Sequence, residues 1–238
     1  MTKKFLIFGA TGSIGSNLAH QFYNDKIDCH LIGRNEEELK KISTKLNYTY
    51  SVCDVLKLNF VKDLLQDLSE TEILGIAYCV GSIDIKPFKL TKANDFVTSY
   101  VLNLVAVTEI IRNFQDNLKK NKGSIVLFST VAAKKGFANH SIISSAKAAV
   151  EGLTVALAAE LSPNIRINCI APSLTKSKIA SAVIKNSTIE ESIAKMHPLK
   201  RIGEGEDSAN LANFLLTEKS SWITGQIIGV DGGRSSVA

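Results

Sequence analysis

Short, almost wholly apolar runs alternate along this chain with longer segments in which apolar residues recur every three or four positions. The short runs, at residues 5–8, 29–32, 48–52, 73–79, 124–128, 165–170 and 226–230, have the length and continuity of strands buried on both faces. The longer ones, at 13–23, 36–46, 56–68, 91–118 and 144–161, have the helical period. Strand followed by helix, repeated, is the pattern of βαβ units around a parallel sheet. It predicts an α/β protein with a Rossmann-type doubly wound parallel sheet of about seven strands. Glu36, Glu37 and Glu38 open one predicted helix, where the macrodipole favours acids, and Pro163 stops another after Leu161.

Residues 173–197 are polar, lysine-bearing and irregular, and they follow the sixth predicted strand. Ligands of doubly wound sheets bind outside the carboxyl ends of the strands, so an insertion there is placed to cover a substrate. A mobile lid is the expectation, with an irregular surface helix pair as the alternative. There are no internal repeats, low-complexity stretches or linkers, and residues 1–238 are expected to form one domain.

Hydrophobic residues make up 45% and charged residues 21%, which suits a packed globular chain. The net charge is +5, but the lysines are scattered, so the balance predicts a weakly basic surface that favours anionic small molecules, not a nucleic-acid track. No run approaches the roughly 18 consecutive apolar residues of a membrane span. Cys29, Cys53, Cys79 and Cys169 lack CxxC spacing and lie in or beside apolar runs, which predicts reduced, buried thiols and a cytoplasmic protein. No His/Cys/Asp/Glu cluster has metal-ligand spacing, so no metal is expected.

The first predicted strand runs into Gly9-Ala10-Thr11-Gly12-Ser13-Ile14-Gly15, which opens a helix. Glycines in that place let the backbone approach a pyrophosphate, and the helix start offers free N–H groups to the anion. Gly9, Thr11, Gly12, Ser13, Ile14 and Gly15 are therefore expected to bind a dinucleotide. After the second strand an acid would select NAD(H) by accepting from the ribose 2′-OH. Here the residues are Gly33-Arg34-Asn35, and Arg34 has the charge and fork for a 2′-phosphate, which predicts NADP(H) over a purely solvated turn residue. Asp54, after the third strand, either accepts from the adenine amino group or caps a turn.

The C-terminal run Pro198-Leu199-Lys200-Arg201-Ile202-Gly203, then Phe214-Leu215-Leu216, Ile223-Thr224-Gly225-Gln226 and Val230-Asp231-Gly232-Gly233, together with Ile170-Ala171-Pro172-Ser173, resembles the short-chain dehydrogenase/reductase family, and the likeness covers nearly the whole chain. The family usually has Gly where Ser173 stands. Its usual spacing puts the middle glycine of the first turn at Ser13, and Tyr78-Cys79-Val80-Gly81 occupies the place of its Asn-Asn-Ala-Gly. The resemblance adds Val55, Gly81, Lys147 and Pro172 to the expected cofactor site. It also implies a homodimer or homotetramer formed through the helices at 91–118 and 144–161. The run Ala146, Ala148, Ala149, Ala156, Ala158 and Ala159 either permits that close approach or packs on the chain's own sheet.

The family's catalytic group is Asn, Ser, Tyr and Lys. Lys binds the nicotinamide ribose and lowers the phenol pKa, Tyr exchanges a proton with the substrate oxygen, Ser holds that oxygen, and Asn orders a relaying water. Asn103 and Lys147 match their positions, and Thr130 stands at the Ser position. The Tyr position is Ile143, which has no proton to give. General acid–base catalysis is worth about 10² to 10⁴ in rate, or roughly 3 to 5 kcal/mol.

Three readings remain open. His140, seven positions before Lys147 where enoyl reductases of the same family place their Tyr, could supply the proton, or be a solvated loop residue; Ser144 is another donor, or a helix cap. Alternatively, hydride addition to a conjugated alkene leaves the proton to water, with Thr130 and Lys147 polarising and positioning. Finally, the chain could bind NADP(H) as a sensor or partner subunit without turnover. The expectation is an NADP(H)-dependent oxidoreductase acting on a carbonyl or conjugated enoyl small molecule.

Overall fold

The structure, a computed structural model, describes residues 2–237. Strands β1 (Thr2–Phe8), β2 (Cys29–Gly33), β3 (Thr49–Val52), β4 (Thr71–Tyr78), β5 (Ser124–Phe128), β6 (Arg166–Pro172) and β7 (Ile227–Val230) form one sheet in the order β3-β2-β1-β4-β5-β6-β7, with every pair parallel. The helices are α1 (Ser13–Asn24), α2 (Glu36–Leu46), α3 (Phe60–Asp67), α4 (Ala93–Tyr100), α5 (Ala106–Lys120), α6 (Ser141–Leu161), α7 (Ser187–Lys195) and α8 (Gly205–Leu216).

Successive side chains of a strand point to opposite faces, and both faces of this sheet are covered. Phe5 and Ile7 of β1 pack with Leu18 and Phe22 of α1, Leu39 of α2 and Ala212 of α8. Leu6 and Phe8 pack on the other face with Leu64 of α3, Ile110 and Phe114 of α5 and Val150 of α6. Two cores flank one sheet, which is why the strands read as unbroken apolar runs. Burying a side chain such as Phe8 or Phe22 contributes about 1.5 to 3 kcal/mol.

The chain builds the sheet outward from β1 in one direction through β2 and β3, then returns to β1's other side with β4. Between β1 and β4 the flanking connections leave in opposite directions, and a crevice opens above the strand ends.

Five regions differ from the pattern's expectation. The helix expected at 91–118 is α4 and α5 joined by a π-helical turn, Val101–Val105. The helix expected from residue 56 begins at Phe60, and the one expected from 144 begins at Ser141. Residues 173–197 hold one short helix, α7, and a 3-10 turn at Ile179–Ala182. Helix α8 was not visible in the pattern, because its inward residues include Gly205, Ser208, Ala209 and Ala212, too small to mark a period. A reciprocal cap between Glu204 and Asp207 starts it.

Helix α6 has the length and apolarity of a membrane-crossing helix, yet Ile142, Ala146, Val150 and Leu161 are buried within the fold. The chain's one tryptophan, Trp222, is 99% exposed in the turn that precedes the edge strand β7.

Candidate active site

The glycine turn is fixed between two strands. The Gly9 and Ala10 N–H groups donate to the Ile32 carbonyl at the end of β2, at 2.8 and 3.1 Å. Gly9 has φ +74°, and a Cβ there would stand 2.9 Å from the Cys79 carbonyl oxygen at the end of β4. A Cβ on Gly15 would lie 2.4 Å from the Gly9 oxygen, so only glycine lets α1 come this close to the turn. Gly12 flanks the helix start, and the first N–H groups of α1 have no acceptor inside the helix.

A cleft of about 1190 Å³ runs along the carboxyl ends of the strands. Gly9, Thr11, Gly12, Ser13 and Ile14 line one end, with Arg34 and Val55 beside them. Gly15 lies behind this lining, acting through packing. Arg34 is exposed, and Asn35 accepts from the Glu38 N–H at 3.1 Å to cap α2. Glu36, Glu37 and Glu38 share this end of the cleft, and Glu38 is paired with Lys178 from the segment after β6. Asp54 takes the turn-capping role, accepting from the Leu56 N–H at 3.1 Å, and it does not line the cleft although Cys53 and Val55 do.

At the other end Gly81, Thr130, Ile143, Lys147 and Pro172 come together. Lys147 is buried, and its Nζ donates to the Phe128 carbonyl at 2.8 Å. Burial pushes its pKa down to about 8, against the pull of the Cys169 and Cys79 thiols. A Cβ on Gly81 would stand 3.3 Å from both Lys147 Nζ and Asn103 Oδ1, so those two polar atoms converge behind a bare stretch of backbone.

Asn103 sits in the π-helical turn, a distortion frequent at functional sites. Its Nδ2 donates to the Ser99 carbonyl at 2.8 Å, while its buried Oδ1 has no hydrogen-bond partner among the described residues. A buried acceptor left bare normally costs about 1 to 3 kcal/mol. Its placement beside the cleft fits a bound polar group.

Thr130 borders the cleft, and its Oγ1 accepts from the Ala132 N–H at 3.3 Å. Ser129, one residue earlier, donates to Glu151 Oε1 at 2.8 Å, tying the end of β5 to α6. Ile143 is 6% exposed and sits one turn before Lys147.

His140 lines the cleft but is the residue that flanks the start of α6, with non-helical backbone angles. Its Nδ1 lies 2.7 Å from the Ala138 carbonyl and its ring packs 5.5 Å from Phe137. Ser144 does not line the main cleft; with Phe88 and Asn139 it lines a second, smaller crevice that adjoins the cleft through Ala132, Phe137 and His140.

Three long-range pairs had no signal in the sequence pattern: Glu38 with Lys178, Ser129 with Glu151, and Ser173 with His197. Ser173 lines the cleft, and its Oγ lies 2.8 Å from Nε2 of His197, which is 1% exposed. The only available hint was that Ser173 replaces a usual glycine.

The glycine cradle, the free helix start and the converging Asn103 and Lys147 together fit a dinucleotide. The comparisons agree. A family model described as Enoyl-(Acyl carrier protein) reductase matches residues 9–235. A chloroplastic tropinone reductase homolog of Arabidopsis thaliana is 32% identical over 240 residues, covering 97% of this chain and 74% of that protein. The 3-oxoacyl-[acyl-carrier-protein] reductase FabG of Rickettsia bellii is 30% identical over 243 residues, covering 98% and 96%.

Among solved structures, a short-chain type dehydrogenase/reductase from Mycobacterium ulcerans superposes with TM-score 0.90 at 25% identity, over 99% of this chain and 91% of that one. ElxO with NADP bound gives 0.88 at 26%, over 99% and 100%. A tyrosine-to-phenylalanine variant of ElxO with NADPH bound gives 0.89 at 26%, over the same shares. With fold, cleft and relatives in accord, the chain belongs to the short-chain dehydrogenase/reductase family, whose members are oxidoreductases that use nicotinamide cofactors.

Proposed function

We propose that this protein is an NADP(H)-dependent oxidoreductase that reduces a carbonyl or conjugated enoyl group of a small molecule, in an active site where Ile143 replaces the family's phenol. One observation carries the reading. Asn103 Oδ1 and Lys147 Nζ converge on Gly81 at one end of the cleft that holds the glycine turn and Arg34 at its other end.

In this reading the α1 start and the glycine turn hold the pyrophosphate and Arg34 holds the 2′-phosphate. Support for the phosphorylated cofactor comes from the cation that follows β2 and from ElxO, which is similar in fold and carries NADP. The nicotinamide, when bound, supplies the hydride. Lys147 holds the neighbouring ribose, Thr130 hydrogen-bonds the substrate oxygen, and Ile143 excludes water from that wall without giving a proton. Residues 173–197 act as the cover, and Lys178 fastens them to the adenosine end through Glu38.

An NADP(H) binder without turnover is the second reading, and Ile143 is what favours it. The ElxO variant shows that a tyrosine hydroxyl can be removed from a relative with NADPH still bound. Calorimetric titration with NADPH and NADH, followed by NADPH oxidation across ketones, enones and enoyl thioesters, separates the two. Tighter NADPH than NADH binding is expected, with turnover of at least one class that Lys147→Ala abolishes. If neither cofactor binds, both readings fall. If NADPH binds but wild type and Ile143→Tyr are inert on every substrate, the binder reading stands.

We further propose a homo-oligomer assembled through α4, α5 and α6, supported by the exposed Val97 of α4, Val105 of the π-helical turn that leads into α5, and Val155 of α6. A reducing, cytoplasmic setting is supported by four cysteines that are all unpaired.

A further inference from the structure

We infer that Ser173 and His197 form the protic pair that serves this site in place of the phenol; the inference rests on the reductase reading above. Phe128 of β5 pairs with Ile170 of β6, and the Ser129 N–H donates to the Ile170 carbonyl at 2.8 Å. Two residues beyond that pair stand Thr130, in the loop that leaves β5, and Pro172, the last residue of β6; the two strands themselves run about 4.8 Å apart. Ser173 therefore emerges beside Thr130, at the reactive end of the cleft that both residues line. Its backbone is anchored by donating to the Val230 carbonyl at 3.3 Å.

His197 lies behind Ser173. Its Nε2 is 2.8 Å from Ser173 Oγ, and its Nδ1 is 2.9 Å from the Ile193 carbonyl in the last turns of α7. Nδ1–H donates to the Ile193 carbonyl, and the second bond is made either by the Ser173 hydroxyl donating to Nε2 or, in the protonated ring, by Nε2–H donating to Ser173 Oγ. A cation is favoured at a helix C-terminus. The Asp231 carboxylate, held by the Gly233 and Ser235 N–H groups at 2.9 Å each, lies near enough for the charge of His197 to help keep it ionised. Other charged groups nearby are Arg234, which rests on Met196 Sδ at 3.4 Å, and Lys200, whose N–H donates to the His197 carbonyl at 2.9 Å and whose Nζ donates to the Lys195 carbonyl at 3.2 Å.

With Nε2–H donating to Ser173 Oγ, the serine proton is free to turn into the cleft. As hydride delivery makes a substrate atom basic, the Ser173 O–H bond breaks toward that atom and the Nε2 proton passes to Oγ. Serine ends as a hydroxyl and His197 as a neutral ring that keeps its Nδ1 proton. Water in the cleft restores the lost proton. Ser173 is the catalytic residue of the pair and His197 acts through it. His140 is placed less well for this role, because it lies partly exposed with Nδ1 engaged by its own loop.

Ser173→Gly installs the residue usual at this place in the family, so the variant is expected to fold. Expected results are a kcat loss of about 10² to 10⁴, retained NADPH affinity, and recovery of turnover when Ile143→Tyr is added to Ser173→Gly. A merely structural role for Ser173 gives no such recovery. Independently of turnover, imidazole ¹⁵N NMR should show the His197 Nε2 resonance moving on Ser173→Gly while Nδ1 stays protonated. Full kcat in Ser173→Gly, failure of the tyrosine to restore it, or an unmoved Nε2 resonance overturns the pair alone. A wild type that binds NADPH but oxidises it with no substrate overturns the reductase reading and the pair with it.

Discussion

Lys147 carries an ammonium group into the interior, where its one hydrogen-bond partner among the described residues is a backbone carbonyl. Its folded-state pKa of about 8 lies below the ordinary 10.5. Between those values the unfolded chain holds a proton that the folded chain has released, so this residue makes stability rise with pH across that window. Below about pH 8 its burial cost is fully present. Urea titrations should show wild type gaining about 2 to 3 kcal/mol on Lys147→Met between the two limits, at about 1.4 kcal/mol per unit. A constant difference would rule out the depressed pKa. At the other end of the cleft, Arg34→Ala should weaken NADPH by about 1.5 to 3 kcal/mol, the worth of a hydrogen bond to a charged group, and leave NADH unchanged in calorimetry. Equal losses for both cofactors would remove Arg34 from the phosphate. Arg34 could be singled out in the sequence by its place after the second strand, whereas Thr130, Ile143 and Lys147 were singled out only through the family resemblance. Ser173 and His197 are 24 residues apart, and only the fold brings their side chains together.

Elements were legible in proportion to the size of their buried side chains. Strands such as β1 and β5 stood out because Ile, Leu, Val and Phe fill both faces, whereas α8 buries glycine, serine and alanine until its last two residues and left no mark. The break between α4 and α5 was hidden for a different reason: a π-helical turn inserts into a continuous helical period without a proline or glycine to announce it. The small residues of α8 also have a positional use. A Cβ on Gly205 would lie 2.3 Å from Ser13 Oγ and 2.5 Å from the Ser13 carbonyl oxygen, so the starts of α8 and α1 are in direct contact. Gly205→Ala should cost about 1 to 3 kcal/mol through overpacking. It should also weaken NADPH binding, since Ser13 opens the helix whose N–H groups face the cleft. A thermal melt and a calorimetric titration check both parts, and unchanged affinity would uncouple α8 from the cofactor end.

At the scale of the whole molecule, the sheet order places β1 and β4 side by side with their connections leaving oppositely, and both ends of the site follow from it. The glycine turn extends β1, Cys79 and Gly81 extend β4, and Thr130 and Ser173 extend the next two strands. A doubly wound parallel sheet of about seven strands was readable from the alternation of strands and helices, but the order of the strands comes from the structure. For the proposed assembly the resemblance named the helices but not the residues, because valines at 97, 105 and 155 look like any other helical positions until their exposure is known. Val155→Arg should convert the oligomer to monomer in light scattering, while circular dichroism stays unchanged. Monomeric wild type at working concentration would sink the proposed assembly. The solitary indole at position 222 offers a separate gauge. Water already surrounds it in the folded chain, so its emission should change little on denaturation and serve badly for following unfolding. A blue shift on concentrating the protein would instead report a neighbour seated at the β7 edge, and an unchanged spectrum alongside a rising mass would place the contact elsewhere on the surface.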